Sequence, residues 1–351
     1  MIKLGNKYLK WPLIQGGMGV GISLSSLAGA VMKEGAMGVI SAAHPGYRKP
    51  NFLNDSLSCN IEALYEEIAK AKQIAQKQGL CGVNIMVASK DYQKYVEAAV
   101  DAGADAIISG AGLPLELPNF VRKQEVLLAP IVSSAKAAIL IIETWIRHYT
   151  RIPDFIVVEG SEAGGHLGFK KETLLSNSAP SLHTLIQEVK TAILPYEQQY
   201  QTSIPIFAAG GVYTKEDIQA CIQCGASGVQ MATRFIVCEE CDADIRFKQA
   251  IIDAKEEDIQ LVISPAGLPG RGIMNPYMKE VMQGIRKAPS HCVRCIKPCH
   301  PATTPYCISE ALIHAVKGEL DNALIFCGTS AIRIHEMTSV KQLMDELFER
   351  E

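Results

Sequence analysis

Eight short apolar runs punctuate the first 231 residues of the chain, at 13–15, 38–41, 82–86, 106–109, 127–132, 155–158, 204–208 and 228–231. None alternates polar with apolar positions. Continuous apolarity is the pattern of strands covered on both faces, as in a parallel sheet. Between the runs lie stretches with apolar residues at helical spacing and charges opposite. Residues 60–78 are the longest, and 91–102, 184–194 and 214–224 read the same way. Thr214 followed by Glu216 and Asp217 marks a helix start with acids in its first turn.

A short layout recurs three times: Gly35-Ala36-Met37-Gly38, Gly103-Ala104-Asp105-Ala106 and Gly225-Ala226-Ser227-Gly228. Each reads as a helix ending on glycine and then entering a strand. Alternation of eight strands with helices predicts a (β/α)8 TIM barrel. A doubly wound open sheet is the alternative, and the strand count with glycines at strand ends favours closure. Beyond residue 240 the pattern changes to a helix at 244–257 and a Gly/Pro-rich loop at 264–275. A cysteine-rich segment at 292–307, a helix at 309–317, a strand-like piece at 323–326 and a helix at 339–349 follow. The expected organisation is a barrel over 1–240 and a cap or lid over 241–351.

Composition narrows the function. A length of 351 residues suits one barrel with an appendage. With 48% hydrophobic and 20% charged residues, the chain has ample core material, and disorder is not expected. Thirty-four basic against 37 acidic residues give a net charge of −3, which argues against nucleic acid or a membrane surface as partner. The opening MIKLGNKYLKWP lacks the features of a signal peptide, and no apolar run suits a membrane span. A cytoplasmic protein acting on a small molecule is expected. The oligomeric state stays open, with a homodimer as one option.

In barrels the chemistry gathers at the C-terminal ends of the strands, and the unusual residues fall there. The seventh run ends in Gly210-Gly211, and the eighth continues as Gln230-Met231-Ala232-Thr233. Glycines let backbone N–H groups approach a phosphate, with the helix start at Thr214 adding its dipole. The alternative is that these glycines only serve tight turns. Gly16-Gly17-Met18 after the first run offers a flat platform on which a ring can lie, and Asn84 after the third offers an amide for a heterocycle edge. The fourth run ends in Ser109-Gly110-Ala111-Gly112. Phosphate at one end and a platform across the mouth suggest a mononucleotide. After the sixth run comes Glu159-Gly160-Ser161-Glu162-Ala163-Gly164-Gly165-His166, which places a histidine at the rim with a side chain suited to proton transfer. A non-catalytic phosphate sensor has no need of such a group. His44 also lies near the mouth, where a structural role is expected.

These segments together resemble the nitronate monooxygenase family, which includes the FMN-dependent enoyl-ACP reductases. The matching pieces are PLIQGGM (12–18), LAGAV (27–31), GVNIM (82–86), SGAG (109–112), EGSEAGGHLG (159–168), AAGG (208–211) and VQMATRF (229–235). The resemblance implies an FMN barrel with phosphate on Gly210, Gly211, Ala232 and Thr233. The ring would lie over Gly16, Gly17 and Met18 near Asn84, with Ser109, Glu159, Gly164, Gly165 and Gln230 also counted toward the cofactor. The family's catalytic histidine falls on His166. It implies oxidation of alkyl nitronates by dioxygen to a carbonyl compound and nitrite. The alternative is an NAD(P)H-dependent enoyl thioester reductase, for which acyl carrier protein would be a partner. QGGM and EGSEAGGH look closer to the reductases, whereas Arg271-Gly272-Ile273-Met274-Asn275 resembles nitronate-type members.

Cys292, Cys295, Cys299 and Cys307 lie within 16 residues among Pro298, Pro301 and Pro305. Four close thiols suit zinc or an iron–sulfur cluster, although the spacing matches no common rule. Free thiols packed in an irregular cap are the other reading. The CxxC pairs Cys221/Cys224 and Cys238/Cys241 are expected to be structural.

Overall fold

The computed structural model describes residues 1–349. Eight parallel strands close into a barrel: Leu13–Gln15, Met37–Ser41, Leu80–Met86, Ala106–Gly110, Leu127–Val132, Ile156–Glu159, Ile206–Ala209 and Gly228–Met231. Each expected run is a barrel strand, with ends moved by two residues at most. The barrel is filled rather than hollow. Ile14, Val39, Ile108, Ala129, Val157 and Phe207 meet inside it, and all six are fully buried. An antiparallel hairpin, Ile2–Leu4 with Lys7–Leu9, presses Leu4 and Leu9 into the same cluster and closes the N-terminal end.

The recurring glycine layout has a single physical cause. Helices Ser25–Lys33, Tyr92–Asp101 and Lys215–Gln223 all end in the same way. Gly35, Gly103 and Gly225 take φ of +88°, +87° and +107°. In each case the glycine N–H bonds back to the carbonyl three residues earlier, and the next residue's N–H bonds to the one five earlier, as Gly35 to Met32 and Ala36 to Val31. This is the Schellman closure, and it needs a residue tolerant of left-handed backbone. Gly38 serves a different purpose. A Cβ placed there would lie 2.0 Å from the carbonyl oxygen of Ala28, so the strand packs directly on the helix backbone.

The C-terminal third departs from expectation. The loop expected at 264–275 contains a strand, Pro269–Ile273, which pairs with Ile259–Ile263 on one side and with the two-residue strand Gly165–His166 on the other. Glycines there reflect close packing rather than a turn: a Cβ on Gly272 would lie 2.3 Å from the carbonyl oxygen of Ile325. Residues 323–326, expected as a strand, form only one bridge, Phe326 to Gly272; Ala323, Leu324 and Ile325 are buried and Phe326 is half-buried. The helix expected at 244–257 is Ile245–Ile252, capped by Asp244, followed by a 3-10 turn at Glu256–Asp258. The last helix, Val340–Phe348, is no lid. It packs against helices Ser25–Lys33 and Lys215–Gln223, completing the outer layer of the barrel. Its Val340, Leu343, Met344 and Leu347 share one buried core with barrel residues such as Val229 and Met231, so packing does not break near residue 240. Among the described residues no helix is long and apolar enough to cross a membrane.

Gly38→Ala tests the strand-on-helix contact. Backbone cannot yield as a side chain can, so the substitution is expected to destabilise by about 3 kcal/mol, the upper end of what overpacking typically costs. The check is the urea midpoint of unfolding, and a midpoint equal to wild type would refute the contact.

Candidate active site

The C-terminal mouth of the barrel opens into a cavity of about 250 Å³. Gly16, Gly17, Met18, Asn84, Glu159, Gly164, Gly165, His166, Gly210, Gly211, Gln230, Ala232 and Thr233 all line it. The platform after the first strand is held from both ends. Gly16 N–H donates to the Met231 carbonyl at 2.8 Å, and Met18 N–H donates to Ser23 Oγ at 2.8 Å. A Cβ on Gly17 would sit 2.4 Å from the Cβ of Asn84. The backbone therefore lies directly against the asparagine. Asn84 Nδ2 donates to the Ile108 carbonyl at 3.3 Å, and its Oδ1 has no protein partner among the described residues.

At the opposite end Gly210 and Gly211 adopt φ of +93° and +81°. A Cβ on Gly211 would fall 2.2 Å from Glu162 Oε2. This cradle exists only because both residues lack side chains. The following helix contributes less than its sequence suggests. Asp217 Oδ2 accepts from the N–H groups of Tyr213 and Thr214, both at 2.9 Å, so the entry to the helix is closed by its own acid. In its place the tail supplies Gly328 and Ser330, which line the cavity, with Gly328 N–H donating to Thr233 Oγ1 at 3.0 Å. These residues follow the apolar run 323–326. A Gly-Thr-Ser turn after a strand-like run was their only signal.

Ser109 is not part of the cavity. It is fully buried and hydrogen-bonds Tyr92 OH at 2.8 Å. It sits at the odd position of a pleat whose next residue, Gly110, faces the mouth, so its side chain turns outward to the helix.

His166 is held from several directions. Its backbone pairs with Gly270, its Nε2 shares a 2.6 Å hydrogen bond with Ser264 Oγ, and its ring meets Phe326 edge-on at 5.3 Å. Nδ1 has no protein partner among the described residues and is left for a ligand. Burial lowers its pKa to about 4, so the imidazole is neutral at physiological pH. Glu159, at the end of the sixth strand, is pushed up to about 8 by burial and keeps its proton at neutral pH. His44 also lines the cavity, but both its ring nitrogens are engaged, with Ser309 Oγ at 2.8 Å and Asn60 Nδ2 at 3.2 Å. Its expected structural role fits these bonds.

The four cysteines of 292–307 do not form the expected metal centre. Among the described residues no group of three or more His, Cys, Asp or Glu side chains is gathered to hold an ion. Cys292 is exposed and Cys307 is buried at the start of helix Ile308–Val316. Cys295 instead lines the cavity. Of the CxxC pairs, Cys221, Cys238 and Cys241 are buried, and Cys224 is half-buried.

The cavity fits a flavin mononucleotide. It has a side-chain-free cradle at Gly210–Gly211 for a phosphate, a glycine platform for a ring, and an unpartnered Asn84 Oδ1 and Glu159 carboxyl for polar edges. Comparison with known proteins agrees. The family model described as nitronate monooxygenase matches residues 3–350. A probable nitronate monooxygenase of Bacillus subtilis is 26% identical, over 96% of this chain and 94% of that protein. One from Staphylococcus aureus is 28% identical over 78% of each. Among solved structures, FabK from Thermotoga maritima superposes with a TM-score of 0.73 at 23% identity, covering 97% of this chain and 92% of that one. A nitroalkane oxidase from Streptomyces ansochromogenes gives 0.73 at 20% identity, covering 97% and 96%. At such identities the structures establish a common fold, and the family match goes further: the chain belongs to the nitronate monooxygenase family and is a flavin-dependent oxidoreductase.

Proposed function

We propose that the protein oxidises alkyl nitronates with dioxygen to a carbonyl compound and nitrite, with FMN in the cavity and without a nicotinamide. The observation that carries this reading is the neutral, half-buried His166, which lines the cavity and whose Nδ1 has no protein partner among the described residues. A neutral imidazole accepts a proton, and it orients a nitronate oxygen without needing to be protonated first. An enoyl reductase needs the reverse, a histidine that delivers a proton. When bound, the flavin supplies the electron acceptor and the site of oxygen chemistry. The chain's own residues do the rest. Ser264 and strand Pro269–Ile273 fix His166, and Phe326 shields one side of its ring. With a nitroalkane as substrate, His166 takes the α-proton at Nδ1.

With nitroethane as substrate, His166→Asn is expected to lower kcat/KM by about 10²–10⁴-fold. Preformed ethylnitronate should suffer less, because its proton is already gone. Equal turnover of nitroethane by variant and wild type would remove His166 from catalysis. The pH profile gives a separate check. The base is competent when unprotonated, so kcat/KM for nitroethane should stay level from pH 6 to 8 and fall as pH drops through about 4. A rise on acidification would instead indicate an acid role. Finally, the FMN-loaded protein should release nitrite from ethylnitronate in air with no NADH or NADPH present. Anaerobic bleaching by a nicotinamide, followed by reduction of an enoyl thioester, would replace this reading with the reductase.

A further inference from the structure

The cysteine-rich cap segment holds no ion, yet it forms one wall of the catalytic cavity. Ile296, Ile308 and Leu312 line the cavity beside Met86, Ala266 and Phe326, and all six belong to one apolar cluster. The wall reaches the reacting end, because Phe326 touches the ring of His166 at 5.3 Å. The segment is fixed to the barrel rather than hinged. Ile296 bridges to Ser89, Lys90 N–H donates to the Cys295 carbonyl at 3.0 Å, and Lys297 N–H to the Ala88 carbonyl at 2.9 Å.

Several polar groups on this side are already tied to one another. His44 holds Ser309 and Asn60, and Asn60 donates to Tyr95 OH at 2.9 Å. No lysine or arginine is among the residues lining the cavity. A carboxylate entering here would lose its water and find no cation, only the hydroxyls of Ser89 and Tyr95. An alkyl chain would find the apolar side chains of Met86, Ile296, Ile308, Leu312 and Phe326.

We propose that the segment 295–312 is the specificity wall of this enzyme, built to take an uncharged aliphatic chain on the substrate and to reject a carboxylate. This rests on the nitronate reading and narrows it to longer, uncharged primary nitronates.

The test measures nitrite release from nitronates of nitroethane through 1-nitrohexane, and from the nitronate of 3-nitropropionate. Burial of each methylene should raise kcat/KM by about three- to fourfold until the chamber is full. The carboxylate substrate should fall below ethylnitronate. Leu312→Lys should flatten the chain-length series and improve the carboxylate substrate, while flavin absorbance is retained. Should that variant fail to fold, Leu312→Trp narrows the chamber and should shift the optimum to shorter chains. A flat series, or a preference for 3-nitropropionate, would overturn the proposal while leaving nitronate oxidation intact. If no nitronate yields nitrite, the parent reading fails, and calorimetric titration of the flavin-free chain with acetamide through hexanamide decides the wall separately. Affinity rising with chain length supports it, and uniform affinity refutes it.

Discussion

The site depends on one backbone pairing. Gly165 and His166, at the rim of the barrel, are added as a strand to Pro269–Ile273 from the far end of the chain. Without it, His166 would sit in a glycine-rich loop running from Gly160 to Lys170, free to sample many positions. Proton transfer requires a group held within hydrogen-bond reach of its target, and a shift of 1 Å is enough to lower rates severely. Main-chain hydrogen bonds, the Ser264 contact and the packing of Phe326 each remove a different freedom of the same side chain.

Glycine makes this assembly possible at several points, for reasons of space as much as of dihedral angle. At Gly17, Gly164 and Gly272 a Cβ would fall within 2.5 Å of another residue. Two of these approaches bring the tail against the barrel: Gly164 meets Cys327, and Gly272 meets Ile325. Barrel and tail thus share a boundary at backbone distance, which explains why one apolar core runs through both.

The barrel itself was legible in the sequence, because buried parallel strands leave continuous apolar runs and the three Schellman closures leave a repeated Gly-Ala spelling. The cofactor end was legible too, with Gly210, Gly211 and His166 standing out at strand ends. The failures have identifiable causes. Strand Pro269–Ile273 carries Gly-Arg-Gly, a composition that spells a loop, and it exists because partners on both sides were out of sight in the linear chain. Ser109 was misplaced because a one-residue change of pleat separates the cavity from the outer helix. The thiols of 292–307 suggested a metal, since spacing reports proximity along the chain and not the directions in which side chains point. The contributions of Gly328 and Ser330 left only a Gly-Thr-Ser turn in the sequence, which says nothing of where in the fold that turn lands.

The pairing of residues 165–166 with 270–271 also bears on how the protein is made. At roughly 5–20 residues per second, the ribosome completes the eighth barrel strand many seconds before Phe326, Gly328 and the last helix emerge. For the first part of that interval the nascent chain lacks the strand that fixes the histidine, and throughout it lacks Gly328 and Ser330. The reactive constellation therefore needs residues made long after the barrel strands, so a translation product truncated before residue 269 lacks it.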